Sequence, residues 1–420
     1  MSHAITSQTP NTPVRPVQQV RNDFPALARH HRGQPVAYFD GPGGTQVPRV
    51  VIDAMAEYLA GHNANTHWAY PSSQETDAII AAARESVALL LNATPDEIAF
   101  GPNMTSLTFH LSRTLGRFLQ PGDPIVVTEL DHHANIDPWR AMGKERQLEV
   151  RQVPMDPGSG TLDWPALERA LGQGPKAARL VCIGAASNAL GTITDVTKAI
   201  ALAHAAGAWV FVDAVHYTPH ALVDVRAMDC DFLACSPYKF YGPHEGVLYG
   251  KRAVLEQLDV PKLAPAPDGP AERFETGTQN HEGIAGTGAA VQYLASLAPG
   301  VTGRAALAAV YGEFHARGQA LIEQLWQGLD AIDGVRLYGP PPSAPRTPTI
   351  AFTVTGMTSE AVARALADRA LFVSNGDFYA TTVVRRLGLE GEGLVRAGCA
   401  CYTTQEEVTR LVEAVAKLRP

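Results

Sequence analysis

The sequence predicts an α/β fold: a large domain built on a mostly parallel sheet, followed by a small C-terminal α+β domain. Three observations point there. Short apolar runs alternate with helical segments through residues 97–250, the pattern of βαβ units. The chain has 420 residues, more than one ordinary core holds, so two domains are expected. Pro299-Gly300 follows a Gly/Ala-rich helical stretch and breaks the chain there. The expected division is an N-terminal segment, 1–45, that packs with the small domain, a large domain at 46–298, and a small domain at 299–420.

The elements follow in order. Residues 50–59 have helical periodicity and stop at Gly61, and 75–91 form a second, stronger helix. Residues 97–100 read as a short strand, then a loop at 101–103 and a helix from about Thr105. Pro121-Gly122-Asp123 is a turn before a buried strand at 124–128, and 148–153 is another. Asp163 is placed to cap a helix. Strand 178–184, helix 194–206 and strand 208–213 follow, with Gly207 between the last two. Short strands are expected at 232–235 and 246–250. Past the break come a long helix (305–329), strands 335–338 and 349–354, helix 359–370, strand 371–374, helix 380–387 and strand 394–399. Thr403 and Glu406 have capping-box spacing before the last helix.

Composition narrows the function. The net charge is −8, which argues against nucleic acid or an acidic membrane as partner. Charged residues are only 18% of the chain, which suggests much buried surface, as at a subunit interface. Five cysteines in so long a chain do not make a secreted disulfide framework, and no C-x-x-C zinc pair occurs. Residues 1–20 lack an apolar signal-peptide core. The longest apolar stretch, 199–215, is interrupted by His204, Gly207 and Asp213, so it reads as helix then strand rather than a membrane span. A cytoplasmic protein is expected.

The polar residues of interest fall where strands end, and ligands bind outside the carboxyl ends of parallel strands. Asp213 closes an apolar strand, where a carboxylate calls for a cation. His216 follows. Lys239, flanked by Tyr238 and Phe240 just after another apolar strand, is a candidate for a lowered pKa and a Schiff base. The 101–105 loop opens a helix whose N–H groups can hold a phosphate. Each has an ordinary reading too: Asp213 as a turn residue, Lys239 as a solvated lysine, the loop as a cap, His132-His133 as a turn pair or a metal pair. Their ordered spacing favours one joint reading, an aldehyde cofactor that needs a lysine, an acid and a phosphate cradle.

Several stretches carry a family resemblance: 38–45, Asp131 to Trp139, Ser187 to Thr192, Asp213 to His216, Lys239 to Pro243, and Arg273 to Thr278. From about Tyr38 to its C-terminus the chain resembles the class V aminotransferase family of pyridoxal-phosphate enzymes, of fold type I. Within it, the chain is similar to the cysteine desulfurase/selenocysteine lyase branch. The resemblance implies a seven-stranded sheet in the large domain, pyridoxal 5'-phosphate as cofactor, an amino-acid substrate and a homodimer. It implies that Lys239 bonds the cofactor and shuttles protons, that Asp213 pairs with the ring nitrogen, and that His132 stacks on the ring and assists the leaving group. Asn188 and His216 would contact the phenolic oxygen or the substrate; the family more often has Gln where His216 stands. Met104, Thr105 and Ser236 would hold the phosphate, Tyr238 would add a hydrogen bond in place of the family's His, and Thr278 would reach the neighbouring subunit's phosphate. Arg396 would clamp the substrate carboxylate. The segment 63–70 is either a cover over the site or a surface turn between helices.

One departure bears on the reaction. Desulfurases of this branch carry a loop cysteine that takes sulfur from the substrate, and Tyr379 stands there in this chain, within 373–380. A phenol does not accept sulfane sulfur as a thiolate does. Cys399 and Cys401 follow Arg396 in an apolar strand and read as core. The leading expectation is a desulfurase-like C–S lyase that works by β-elimination without a persulfide relay. The alternatives are an epimerase or racemase, with Tyr379 or His132 as second base opposite Lys239, and an aminotransferase. A cofactor-binding protein without activity is the non-enzymatic alternative, which intact Lys239, Asp213 and Arg396 argue against.

Overall fold

The computed structural model describes residues 14–418; most of the polar stretch read at 1–20 lies outside them. The large sheet has seven strands: β1 (Ile98–Gly101), β2 (Pro124–Thr128), β3 (Glu149–Val153), β4 (Leu180–Gly184), β5 (Trp209–Asp213), β6 (Phe232–Cys235) and β7 (Gly246–Gly250). They lie side by side in the order β1-β7-β6-β5-β4-β2-β3. Six point one way, and β7 alone runs against its neighbours β6 and β1. The mostly parallel sheet expected from the strand–helix alternation is therefore present.

Burial on both faces explains why these strands read as unbroken apolar runs. Successive side chains point to opposite faces. Val210 and Val212 of β5 join one core with Val181 and Ile183. Phe211, between them, joins the other with Cys182 and Phe232. Helix α1 (Pro71–Leu91) covers the first face through Val87, Leu90 and Leu91. Helix α2 (Met104–Leu115) covers the second through Leu107, Leu111 and Leu115. Burying each of these side chains contributes about 1.5–3 kcal/mol.

The parallel arrangement gathers the carboxyl ends of β1, β2, β4, β5 and β6 on one edge. The segments that follow them, from Gly101, Thr128, Gly184, Asp213 and Cys235 onward, are thereby brought together. The small domain sits beyond that edge. Its four antiparallel strands are β8 (Val335–Tyr338), β9 (Thr349–Val354), β10 (Ser374–Gly376) and β11 (Leu394–Gly398), in the order β8-β9-β11-β10. Helices α3 (Gly303–Asp330) and α4 (Gln405–Ala416) pack on it through Leu321, Leu325, Leu411 and Val415 against Ile350 and Phe352.

The N-terminal segment touches both domains. Ala37–Tyr38 pairs in parallel with Leu371–Phe372 of the small domain, while Val20 and Phe24 lie in the large-domain core. This pairing splits the strand expected at 371–374. Leu371–Phe372 pairs with the N-terminal segment, and β10 begins at Ser374 and pairs with β11. Other boundaries move by local chemistry. Helix α1 starts at Pro71, not 75, because proline suits the first helical position. The helix expected at 359–370 ends at Ala367, and Ala370 turns the chain at φ +58. The capping box is Thr404 with Glu407, one residue later than expected. The Thr403 hydroxyl instead accepts the Ala400 N–H at 2.9 Å. No helix among the described residues is long and apolar enough to cross a membrane.

Candidate active site

The carboxyl edge of the large sheet opens into a cavity of about 670 Å³ that the small domain closes. Lys239, Asp213, His132, His216, Asn188 and Ser236 line it. So do Met104, Thr105, Tyr238, Tyr379 and Arg396. Thr278 does not. It lies in a second cleft of about 720 Å³ beside Asn65, Thr66, His67 and Trp68. The segment expected either over the site or as a turn thus runs between two helical stretches and borders that second cleft.

Lys239 ends a short turn after β6, Pro237–Lys239. Its ammonium donates to the Pro42 carbonyl and lies 4.9 Å from the Tyr238 ring centre. Burial, and then the nearby Arg396 cation, push its pKa down to about 7, against the pull of Asp213. At neutral pH a large share of this amine is therefore unprotonated and nucleophilic. Asp213, the last residue of β5, accepts the Val215 N–H at 2.9 Å. Burial raises its pKa to about 6; that hydrogen bond and Lys239 oppose the rise. It is still mostly ionised at neutral pH, as a partner for a ring cation must be.

The His132 tautomer follows from one contact. The Ala134 N–H donates to Nδ1 at 2.9 Å, so the neutral ring carries its proton on Nε2. Burial, with Lys239 next, pushes its pKa down to about 4. Its ring centre lies 5.6 Å from that of Tyr379.

Asp131 also lines the cavity, and the site residues expected from the sequence do not include it. Its Oδ1 accepts the Gly184 N–H and its Oδ2 the Asn135 amide, both at 2.9 Å. Burial, then the neighbouring Asp213 charge, push its pKa up to about 8. It is therefore mainly neutral at pH 7, which leaves Asp213 as the charged carboxylate. The signal was its position beside His132, overshadowed by the histidine pair. Gly184 is glycine for the same contact, since a Cβ there would lie 2.6 Å from Asp131 Oδ1.

The N-terminus of α2 forms an anion site. Asn103 caps it, accepting the Ser106 N–H at 2.8 Å. The N–H groups of Met104 and Thr105 remain for a ligand. Thr105 and Ser236 line the same cavity. Gly246 lets β7 approach: a Cβ there would lie 2.4 Å from the Asn103 backbone.

Arg396, on β11, is 4% exposed. Its Nη1 donates to the Asn188 carbonyl at 2.8 Å, and its guanidinium lies 4.1 Å from the Phe378 ring centre. Burial pushes its pKa down to about 9. Phe378 and Tyr379 both hold φ +56, a left-handed conformation that costs bulky residues about 1–2 kcal/mol each. Contacts with the large domain hold them there. Asn188 Nδ2 donates to the Phe378 carbonyl at 2.9 Å, and the His133 N–H to the Tyr379 carbonyl at 2.7 Å.

Three buried polar atoms here have no partner among the described residues: Asn188 Oδ1, His216 Nδ1 and Arg396 Nε. Buried polar groups in folded proteins are nearly always paired, so a ligand with donors and acceptors belongs in this cavity. The nucleophilic amine calls for an aldehyde, Asp213 for a ring cation and α2 for a phosphate. Pyridoxal phosphate offers all three.

Comparison with known proteins agrees. A family model described as Aminotransferase class-V matches residues 37–411. A cysteine desulfurase of Serratia proteamaculans is 34% identical over 420 residues, which cover 96% of this chain and 98% of its own. The solved apo structure of a cysteine desulfurase from Thermococcus onnurineus matches with a TM-score of 0.87 at 28% identity, covering 97% of this chain and 98% of that one. The Escherichia coli cysteine desulfurase CsdA matches with a TM-score of 0.82, also at 28% identity, covering 96% and 98%.

Proposed function

The chain belongs to the class V aminotransferase family and is a pyridoxal-phosphate enzyme; from that premise we propose that it cleaves the C–S bond of a cysteine-type amino acid by β-elimination. The observation that carries this reading is the convergence of buried Lys239, Asp213 and Arg396 on one cavity, joined to relatives named cysteine desulfurase.

Lys239 would hold the cofactor's aldehyde carbon, Asp213 its ring nitrogen, and Met104, Thr105 and Ser236 its phosphate. Tyr238 flanks Lys239, and Asn188 and His216 serve the ring oxygen or the substrate. When bound, the cofactor supplies an electron sink for negative charge at the substrate's Cα. Arg396 holds the substrate carboxylate through two parallel N–H donors. The Lys239 amine, with a pKa of about 7, takes the Cα proton at neutral pH. His132 presents its Nε2–H to the departing sulfur.

All five cysteines are buried, so the sulfur fragment leaves as a free thiol rather than as a persulfide on this chain. Balanced, an S-substituted cysteine and water give pyruvate, ammonia and the thiol. The enzyme acts as a homodimer in the cytoplasm. The second cleft, with Thr278 and exposed Trp68, supports the dimer, and five unpaired thiols suit a reducing compartment.

The test is a panel of cysteine derivatives incubated with the reconstituted enzyme, with products identified by mass. Pyruvate and thiol in equal amounts are expected, together with a visible cofactor band that is lost in Lys239→Ala. Racemised substrate with deuterium at Cα would replace this reading with epimerisation. An oxo acid that keeps its side chain would replace it with transamination.

A further inference from the structure

His216 of the large domain meets two threonines of the small domain at a single ring nitrogen. Thr347 Oγ1 lies 3.1 Å and Thr349 Oγ1 3.2 Å from its Nε2. Both threonines are fully buried, so each hydroxyl proton needs an acceptor within the protein. Thr347 has a second one, the Gly191 carbonyl at 3.4 Å. Thr349 opens β9, and its hydroxyl has His216 Nε2 as its sole hydrogen-bond partner among the described residues. Nε2 must therefore offer its lone pair.

The ring is neutral. Burial holds its pKa well below the ordinary value, and the Arg396 and Lys239 cations lower it further. His220 lies with its ring centre 5.4 Å away and is itself held neutral by burial. Arg396 comes from β11, and Lys239 from the turn after β6. A neutral imidazole with Nε2 accepting carries its proton on Nδ1. Nδ1 is buried and without a partner among the described residues, and His216 lines the cavity. It is a donor waiting for an acceptor.

We propose that Thr349, supported by Thr347, is a positioning residue that locks His216 as an Nδ1–H donor toward the anionic ring oxygen of the bound cofactor. The proposal rests on pyridoxal phosphate occupying this cavity. The lock is specific to histidine, since the glutamine more common at this position in the family has no tautomer to choose. It also links the two domains. A small-domain hydroxyl sets the electrostatics at the cofactor, so a displaced small domain releases the lock. A donor there would favour the anionic form of that oxygen. The lock therefore lowers the pH at which the bound chromophore titrates.

The experiment is a pH titration of the holoenzyme's visible absorbance. Thr349→Val preserves shape and frees Nε2 to take the proton. Its midpoint is expected to rise by about half to one pH unit, a roughly three- to tenfold change in the equilibrium. Thr349→Ser keeps the wild-type midpoint, and Thr347→Val moves it less than Thr349→Val does. In a His216→Gln background, Thr349→Val produces no further shift. A wild-type midpoint in Thr349→Val, or an equal shift in the glutamine background, overturns the proposal. Should Thr349→Val fail to fold, Thr349→Ala is read by the same two criteria. A wild-type protein that gains no visible band on reconstitution is a separate failure, because it refutes the reading of the cavity itself.

Discussion

Replacing Arg396 by methionine is expected to separate what the guanidinium does for the fold from what it does for a substrate. Arg396 is buried and makes no ion pair among the described residues; Asp40 acts on it at longer range. The pKa drop from 12.5 to about 9 measures the penalty for a charge held there. At ~1.36 kcal/mol per unit this is about 5 kcal/mol, an order-of-magnitude figure. The hydrogen bond to the Asn188 carbonyl returns about 1.5–3 kcal/mol, and the Phe378 ring returns up to about 2. The balance runs from near zero to unfavourable by about 3 kcal/mol. Methionine fills a similar volume without the charge, and such replacements are often neutral or stabilising. Cofactor-free Arg396→Met is therefore expected to melt at or slightly above the wild-type temperature. In the holoenzyme the same change removes two charge-assisted hydrogen bonds to the substrate carboxylate, about 3–4 kcal/mol in all. KM then rises roughly 10²- to 10³-fold while the cofactor band persists. Thermal unfolding of the stripped protein and substrate titration of that band check both halves. A variant that melts several degrees lower yet binds substrate normally would refute the reasoning, because the guanidinium would then be structural.

Gly246→Ala drives a methyl group into the Asn103 backbone at 2.4 Å, which displaces the first turn of α2; cofactor affinity, read by absorbance on reconstitution, falls at least about tenfold. Glu245→Gln tests a carboxyl outside the cavity, which burial raises to about 8. A raised carboxyl contributes stability that is full below its unfolded pKa and is lost as pH climbs through its folded value. The wild type therefore loses about 1.4 kcal/mol per pH unit relative to the variant between about pH 5 and 8, seen in denaturation midpoints, and parallel curves contradict it. Tyr379→Phe leaves the rate within about twofold, because the side chain is 73% exposed and its hydroxyl makes no hydrogen bond among the described residues. A loss beyond tenfold in initial velocity would instead make the phenol an acid–base group and favour epimerisation.

How much of this was legible in the sequence depended on how local the cause was. The run Trp209-Val210-Phe211-Val212-Asp213 announced itself because both faces of β5 are buried and a carboxylate closes it. Lys239 was visible for a like reason, after β6 and between two aromatics. Phe378 and Thr349 carried no such mark. Phe378 matters through Asn188, 190 residues away, and Thr349 through His216, 133 residues away. No periodicity records a contact across two domains. The strand split at Val373 was hidden likewise, because its two halves pair with partners far apart in sequence. Thr278 could be assigned only through the resemblance, and the single chain holds it in a different cleft from the cavity.

The fate of sulfur turns on one parity argument and one loop position. Along β11, Val395 and Ala397 lie in the small-domain core with Cys399, which follows the strand, while Arg396 lines the cavity. The two-residue period of a strand therefore sends Cys399 away from the site despite its nearness in sequence. Burial also pushes that thiol up to about 12, so it offers almost no thiolate. Position 379 is different: it is exposed, it borders the cavity, and its left-handed backbone would be no more strained with cysteine than with tyrosine. In Tyr379→Cys the new thiolate can attack the substrate sulfur. An S–S bond forms, the C–S bond breaks, its electron pair stays on the substrate carbon, and protonation there gives alanine in place of pyruvate. The expected result with cysteine is alanine together with a trappable persulfide on the variant, and neither from the wild type. A variant that still gives only pyruvate would mean that the reaction outcome is set by the cavity walls and not by the group at position 379.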